Sequence, residues 1–328
     1  MKQLIKQLKK CKSVAVFGHQ SPDGDCIGSI SAISFLLKSY NIKVDAFVDD
    51  EIPDRLKFLN VDNINIKEFD KNNYDTLITV DVAGERLLGK YKEDFLSFER
   101  TIVIDHHKNR DLMGTLSTFV DSAKASCCEV LYEIIERCKL KLDERTASLI
   151  YAGLVDDTGC FLHDNTTAYT HYTAQNLINL GADFKKINYH IIKLKTLKSF
   201  EMNKQLDGMV EFDNGVGYIA ITYKFMKDNN FSKSDIGDYV NKLVNLENCK
   251  ISFVVTEKQV GVYSVSLRCL AGYDVALVAS KFNGGGHKQA AGCECRGKLK
   301  SIITEILKEC HIAIGENNVW KKWYYSLK

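Results

Sequence analysis

The segment HQSPDGDCIGS, from His19 to Ser29, sets one imidazole and two carboxylates within seven residues, among a proline and two glycines. His19, Asp23 and Asp25 stand where the apolar run SVAVFG (13–18) ends. Like residues recur downstream. Asp81 follows TLITV (76–80), and Asp105, His106 and His107 follow TIVI (101–104). Asp156 and Asp157 close an apolar helical run just before Thr158-Gly159. Carboxylates crowded together raise one another's pKa steeply, so a shared site needs compensating positive charge. A pair of divalent cations supplies it. Mixed oxygen and nitrogen ligands suit Mn²⁺, or Mg²⁺ with more water, better than a structural zinc. Asp23 and Asp25, two apart across Gly24, point oppositely in extended backbone, one for each ion, and Asp81 can bridge them. Two ions about 3.5–4 Å apart act on both the attacking and the leaving oxygen of a phosphate displacement.

Such residues need a scaffold that brings them to one place. The runs at 13–18, 42–48, 76–80 and 101–104 are short, apolar and rich in β-branched residues. Between the first two, Ile27, Ile30, Ile33, Leu36 and Leu37 recur at helical spacing. Strands alternating with helices predict an α/β domain, a parallel sheet with helices on both faces. In such sheets, sites form outside the carboxyl ends of the strands. His19, Asp81 and Asp105–His107 all fall there. Ser126 with Glu129 predicts a capping-box helix start. A further helix covers 145–155, and Thr166 is expected to cap one that stops at Gly181.

The text changes near residue 184. Lysine-rich connecting helices lead to a hairpin at Asn214-Gly215 and a second strand pair turning near Gly261. A helix (273–282), the NGGGH turn and a last helix (299–310) complete a smaller α+β domain. In NGGGHKQAAG, Gly284, Gly285 and Gly286 let backbone N–H groups approach an anion, and His287 adds a donor. No Lys-Ser/Thr follows, so this is not a Walker A loop. Arg268, at the end of VYSVSLR, can pair bidentately with a terminal phosphate.

The 328 residues carry 44 Lys and Arg against 42 Asp and Glu, a net charge of +2. That balance argues against binding long duplex nucleic acid, which needs a broad basic surface. A local grip on short RNA or a nucleotide remains open to it. No apolar run approaches the roughly 18 residues of a membrane span. The basic start MKQLIKQLKK lacks the apolar core of a secretory signal, and its Leu4, Ile5 and Leu8 read as a helix face. Eleven cysteines, an odd number without a CxxC pair, are expected as reduced thiols of a cytoplasmic protein.

HQSPDGD, VDV (80–82), DHH and DTG, in this order, resemble the four motifs of the DHH phosphoesterase superfamily. GGGH at Gly284–His287 resembles the signature of its associated C-terminal domain. Length and plan are most similar to the bacterial bifunctional oligoribonuclease and pAp phosphatase (NrnA-type) family. The resemblance implies a dimetal catalytic domain over 1–185, a helical linker over 186–206 and a substrate-binding domain over 207–328, clamping substrate across a cleft. It implies one ion on His19, Asp23 and Asp81, and a second on Asp25, Asp81, His106 and Asp157, with Asp157 chosen over Asp156. His107 would lie near the substrate phosphate, and Asp105 would support the histidines. Many relatives have a basic residue after Thr-Gly where this chain has Cys160, so His163 is expected to supply that contact. The implied activity is hydrolysis of short oligoribonucleotides to mononucleotides and removal of the 3′-phosphate of pAp. The alternative is a phosphodiesterase for linear or cyclic dinucleotides. A manganese pyrophosphatase lacks the GGGH turn, and a non-catalytic sensor fits poorly with a complete ligand set. A homodimer is compatible with all of this.

Overall fold

Val14 and Val16 point to one face of strand β1 (Ser13–Phe17), Ala15 and Phe17 to the other, and all four are fully buried. A strand buried on both faces must lie inside a sheet covered on both sides. The computed structural model describes residues 1–315 except 62–63, 66–68, 109–110, 232–235 and 237–238, and it places β1 in such a position. The chain divides into two units, Met1–Leu194 and Lys195–Lys328. Residues 316–328, part of the expected second domain, lie outside the described residues.

In the first unit, β2 (Lys43–Phe47), β3 (Ile64–Asn65), β4 (Thr76–Val80), β5 (Thr101–Asp105) and β6 (Ser117–Val120) join β1 in the order β3-β2-β1-β4-β5-β6. Every neighbouring pair is parallel. The strand order reverses between β1 and β4, the position where open α/β sheets build their sites. Helix α1 (Lys2–Leu8) buries Leu4 and Leu8. One sheet face, with Val14, Val16, Ile78, Val80, Ile102 and Ile104, packs on α2 (Gly24–Ser39), α4 (Cys127–Arg137) and α5 (Glu144–Asp157). The other packs Ala15, Phe17, Leu77 and Val103 on Leu88 and Tyr91 of a 3-10 helix and Phe95 of α3 (Lys92–Ser97). Gly153 lets α5 come close to the start of α2. A Cβ there would stand 3.0 Å from the Gly24 carbonyl and from the Asp25 Cα.

Local details differ from the sequence expectation. Helix α2 begins at Gly24, so Asp23 is its N-cap and Asp25 lies in its first turn, not in extended backbone. Ser126 accepts the Glu129 N–H, but the Glu129 carboxylate reaches back to the Ala125 N–H, one residue beyond a capping box. The helix Ala168–Asn179 is capped by Thr167, which exchanges hydrogen bonds with Thr170, and not by Thr166.

The second unit holds β7 (Glu211–Asp213), β8 (Val216–Ile221), β9 (Ile251–Gln259), β10 (Val262–Cys269), β11 (Gly285–His287) and β12 (Ala290–Arg296) in the order β11-β12-β10-β9-β8-β7. Only β8 and β9 pair in parallel. One face packs on the helices Val275–Ser280 and Leu299–Ala313. On the other, the helices Leu197–Asp207 and Tyr239–Val244 cover Ile219, Ile221 and Val254 of β8 and β9. The NGGGH segment is therefore not a turn. Gly285–His287 forms an edge strand, antiparallel to β12.

Candidate active site

The ligand-type side chains come from the segment joining β1 to α2, from the ends of β4 and β5, and from the end of α5. His19 follows β1, and its Nδ1 lies 2.7 Å from the Gln20 carbonyl. Nδ1 is thus the donor there, and Nε2 turns inward. Nε2 is 3.6 Å from Asp23 Oδ1 and 3.5 Å from Asp81 Oδ2. Asp23 accepts the Cys26 N–H as the cap of α2. Asp25 is buried, and its two oxygens accept the Cys127 and Cys128 N–H groups at 2.7 and 2.8 Å. Those donors form the first turn of α4, whose positive dipole end favours a carboxylate. The two aspartates diverge because one caps a helix and the other sits inside it.

Asp81 follows β4 with φ 58°, a left-handed conformation that Asp tolerates better than most residues. Its N–H donates to the Ile104 carbonyl, tying it to β5. Its Oδ1 lies 3.6 Å from His106 Nε2 and 3.7 Å from His107 Nδ1. Asp105 ends β5 fully buried. Its Oδ1 accepts the His106 N–H, the His107 N–H and His107 Nδ1 at 2.7, 3.2 and 2.8 Å. His106 Nε2 then lies 3.9 Å from Asp25 Oδ2 and 3.6 Å from Asp157 Oδ2. At the end of α5 the two aspartates part. Asp157 enters the cluster, whereas Asp156 accepts the Gly24 N–H at 2.7 Å and two Arg55 donors at 2.8 and 2.9 Å.

The ligand atoms of His19, Asp23 and Asp81 lie within 4.8 Å of one another, as do those of Asp25, His106 and Asp157. Asp81 Oδ2 faces the first group and Oδ1 faces His106 of the second. Burial, with Asp25, Asp81, Asp23 and Asp156 nearby, pushes Asp157 up to about 9. Burial and neighbouring carboxylates raise Asp25 and Asp81 to about 6. Burial would lower His19, but Asp23 and Asp81 outweigh it and raise the imidazole to about 11. His106 is kept below its ordinary value, chiefly by burial. Asp105 raises His107, and despite burial His107 and the backbone donors hold Asp105 low. Asp81 Oδ1 and Asp157 Oδ2 are buried with no hydrogen-bond partner among the described residues. Buried acceptors without donors, beside inward imidazole nitrogens, fit divalent cations.

In the second unit, Arg268 of β10 and His287 of β11 both stand opposite Ala290 of β12. Opposed residues share a face, so the two side chains leave one face about 10 Å apart, two strand spacings. The next row is Ser266, Gly292 and Gly285, with open space where a Gly285 Cβ would stand. At Gly286, φ is 143° and a Cβ would come 2.5 Å from the Ala290 carbonyl, so only glycine fits the edge strand. Arg268 is oriented by Nε donating to Asn241 Oδ1 and by a second bond to the Leu267 carbonyl, both 2.9 Å. His163, expected to reach substrate, keeps Nδ1 3.2 Å from the Asp157 carbonyl and its ring against Gly159.

Sequence reasoning missed Arg55 and Asn165. Asn165 Nδ2 donates to the Ala125 and Asp157 carbonyls, at 2.9 and 3.2 Å, and so links the starts and ends of two site helices. The one available signal was Asp156, a second acid beside Asp157 that needs a cation of its own.

Residues 13–154 match the DHH family, N-terminal domain, and residues 217–312 match the DHHA1 domain. Over 311 residues the chain is 26% identical to a Mycoplasma genitalium protein named bifunctional oligoribonuclease and PAP phosphatase NrnA, covering 94% of this chain and 96% of that one. The crystal structure of an exopolyphosphatase-related protein from Bacteroides fragilis shares the fold with TM-score 0.83 at 20% identity, covering 94% of each chain. RecJ from Thermus thermophilus, solved in complex with Mn²⁺, has TM-score 0.55 at 14% identity, over 95% of this chain and 55% of that one.

Proposed function

We propose that this chain, a DHH family domain followed by a DHHA1 domain, is a two-metal phosphoesterase that hydrolyses short oligoribonucleotides and removes the 3′-phosphate of pAp. The observation that carries the reading is Asp81, whose two oxygens face two separate groups of imidazole and carboxylate ligands. His19, Asp23 and Asp81 would hold one cation, and Asp25, Asp81, His106 and Asp157 the other. Mn²⁺ is the favoured ion, because the ligands mix oxygen with nitrogen. When bound, the pair supplies Lewis-acid charge to a phosphate ester and to the water that attacks it. The name of the Mycoplasma genitalium relative supports the choice of substrates.

The chain's own residues do the rest. Asp105 accepts from His107 Nδ1, which leaves Nε2 as the outward atom. His107 is about half-exposed, and with its raised pKa it can donate Nε2–H to a phosphoryl oxygen. Arg268 and His287 would grip a second phosphate or a base, above a floor of Gly285, Ala290 and Gly292. No helix of the described residues is long and apolar enough to cross a membrane, which accords with a nucleotide hydrolase of the cytoplasm. The test is a panel of pAp, pApA, pGpG, short RNAs and pyrophosphate assayed with Mn²⁺. Turnover of short RNAs and pAp supports the reading, while hydrolysis confined to pyrophosphate, or none at all, overturns it. Preference for pApA or pGpG over both would move the assignment to a dinucleotide phosphodiesterase.

A further inference from the structure

Three backbone segments must stay in register for the two ligand groups to face Asp81. They are the start of α2 carrying Asp23 and Asp25, the end of α5 carrying Asp157, and the start of α4. One contact outside the ligand set joins the first two directly. Asp156 Oδ2 accepts the N–H of Gly24, the residue between Asp23 and Asp25, at 2.7 Å. The same carboxylate belongs to the residue before Asp157. The approach is so close that a Cβ on Gly24 would stand 2.7 Å from Asp156 Cβ and 2.8 Å from Oδ2. This glycine is therefore demanded by the contact and not by its own backbone angle.

Arg55 fixes the other side of Asp156. It sits in the 3-10 helix Asp54–Leu59 and donates NH1 and NH2 to the two carboxylate oxygens at 2.8 and 2.9 Å. This fork holds a carboxylate in one plane, which a lysine cannot do. It also neutralises a charge that would otherwise face a cluster already holding Asp23, Asp25, Asp81 and Asp157. The Asp156 side chain is only 14% exposed, so water does not replace the guanidinium easily.

We propose that Arg55 and Asp156 are positioning residues that brace the start of α2, with Asp23 and Asp25, against Asp157 and thereby set the affinity of the site for divalent cations. This rests on the two-metal reading. Neither residue belongs to the ligand groups. Asp156 acts through the Gly24 peptide, and Arg55 acts through Asp156. Partners behind metal ligands typically change metal affinity by about 10- to 100-fold.

The test uses the full chain and titrates Mn²⁺ by calorimetry, with the spectrum of bound Mn²⁺ followed by electron paramagnetic resonance. Circular dichroism of each metal-free variant checks the fold. If wild type binds no Mn²⁺, the two-metal reading itself falls. If it binds, Asp156→Ala should weaken affinity by about 10- to 100-fold and change the Mn²⁺ line shape. Asp156→Asn, which keeps an acceptor for Gly24, should recover part of that loss. Arg55→Ala should weaken affinity and Arg55→Lys should rescue it incompletely. In steady state the variants should lose kcat at saturating substrate and sub-saturating Mn²⁺, with KM for RNA little changed. Wild-type Mn²⁺ affinity in a folded Asp156→Ala variant would overturn the proposal. So would a variant that raises KM for RNA while its Mn²⁺ titration is unaltered, since that marks Arg55 as a substrate contact.

Discussion

The two units treat polar side chains in opposite ways. In the first, acids and imidazoles are buried against one another, and buried carboxylate oxygens of Asp81, Asp105, Glu129 and Asp157 find no donor among the described residues. In the second, Arg268 is satisfied by Asn241 and Leu267, and His287 lies exposed on an edge strand. On the two-metal reading, cations would complete the first arrangement in place of protons, whereas the second, already solvated, would offer donors to a ligand. Burial without compensation marks a site for a tightly held ion. Exposure with preset geometry marks a site for a ligand that must also leave.

Substitution at Asp81 breaks that contrast most severely. Asp81→Asn keeps a residue tolerant of φ 58° but weakens the bridge between the ligand groups. Activity with Mn²⁺ should fall about 10³-fold, and metal content measured by atomic absorption should drop, with an unchanged circular dichroism spectrum. Near-normal turnover would remove the dimetal assignment. His287→Ala and Arg268→Ala probe the other unit. Each should raise KM for short RNA about 10- to 100-fold, as expected for loss of a charge-assisted bond, with Mn²⁺ content retained. Loss of manganese from either variant would erase the distinction between the units.

The next effect sharpens the contrast through protons. Asp157 at about 9 and His19 at about 11 hold protons at neutral pH in the metal-free chain, and an ion must displace them. Affinity for Mn²⁺ should therefore weaken as pH falls from 9 to 6, about tenfold per pH unit for each proton expelled. Calorimetry in buffers of different ionisation enthalpy counts those protons. Metal-free stability carries the opposite sign. The raised carboxyl of Asp157 leaves the unfolded chain with fewer bound protons than the folded one between its ordinary value and about 9. Raised His19 loses its contribution as pH rises from 6.5 towards 11. The metal-free Tm should fall as pH rises from 6 to 9, and the gain on adding Mn²⁺ should grow. A gain independent of pH would contradict the protonated cluster.

The smallest effect concerns substrate length. The net charge of +2 leaves little general attraction for a polyanion. kcat/KM should decline by a few fold as RNA lengthens beyond about five nucleotides, with mononucleotides released from one end and a shallow salt dependence. Internal cuts in an end-labelled series, or preference for long RNA, would refute it.

Much of the catalytic unit was readable because its pattern is local. His19, Asp81 and Asp105–His107 each follow or end an apolar β-branched run, and strand-then-ligand is visible without any tertiary knowledge. Asp23 and Asp25 were read in the wrong backbone state, because the helix signal strengthens only at Ile27 while the helix starts at Gly24. NGGGH was read as a turn, because triple glycine carries no strand propensity. Its pairing to β12 comes from the register that Arg268 and Ala290 share with it. Arg55 meets the Asp156 carboxylate across 101 positions, a pairing that no local pattern announces, and Asn165 meets backbone carbonyls, which have no letter in a sequence.

The crossing of the chain at the sheet centre bears on how the protein is made. β1 pairs with β2, its neighbour in sequence, and on its other side with β4, so Val14 meets Thr76 only after β2 and β3 have been synthesised. The last ligand, Asp157, comes later still. A nascent chain leaving the ribosome therefore has imidazoles and carboxylates long before it has a pocket. Such non-local pairing folds slowly, and the full ligand set comes together only when α5 has joined the sheet. On the two-metal reading, a metal meeting the nascent chain would find only scattered ligands, and selectivity would rest on the folded site.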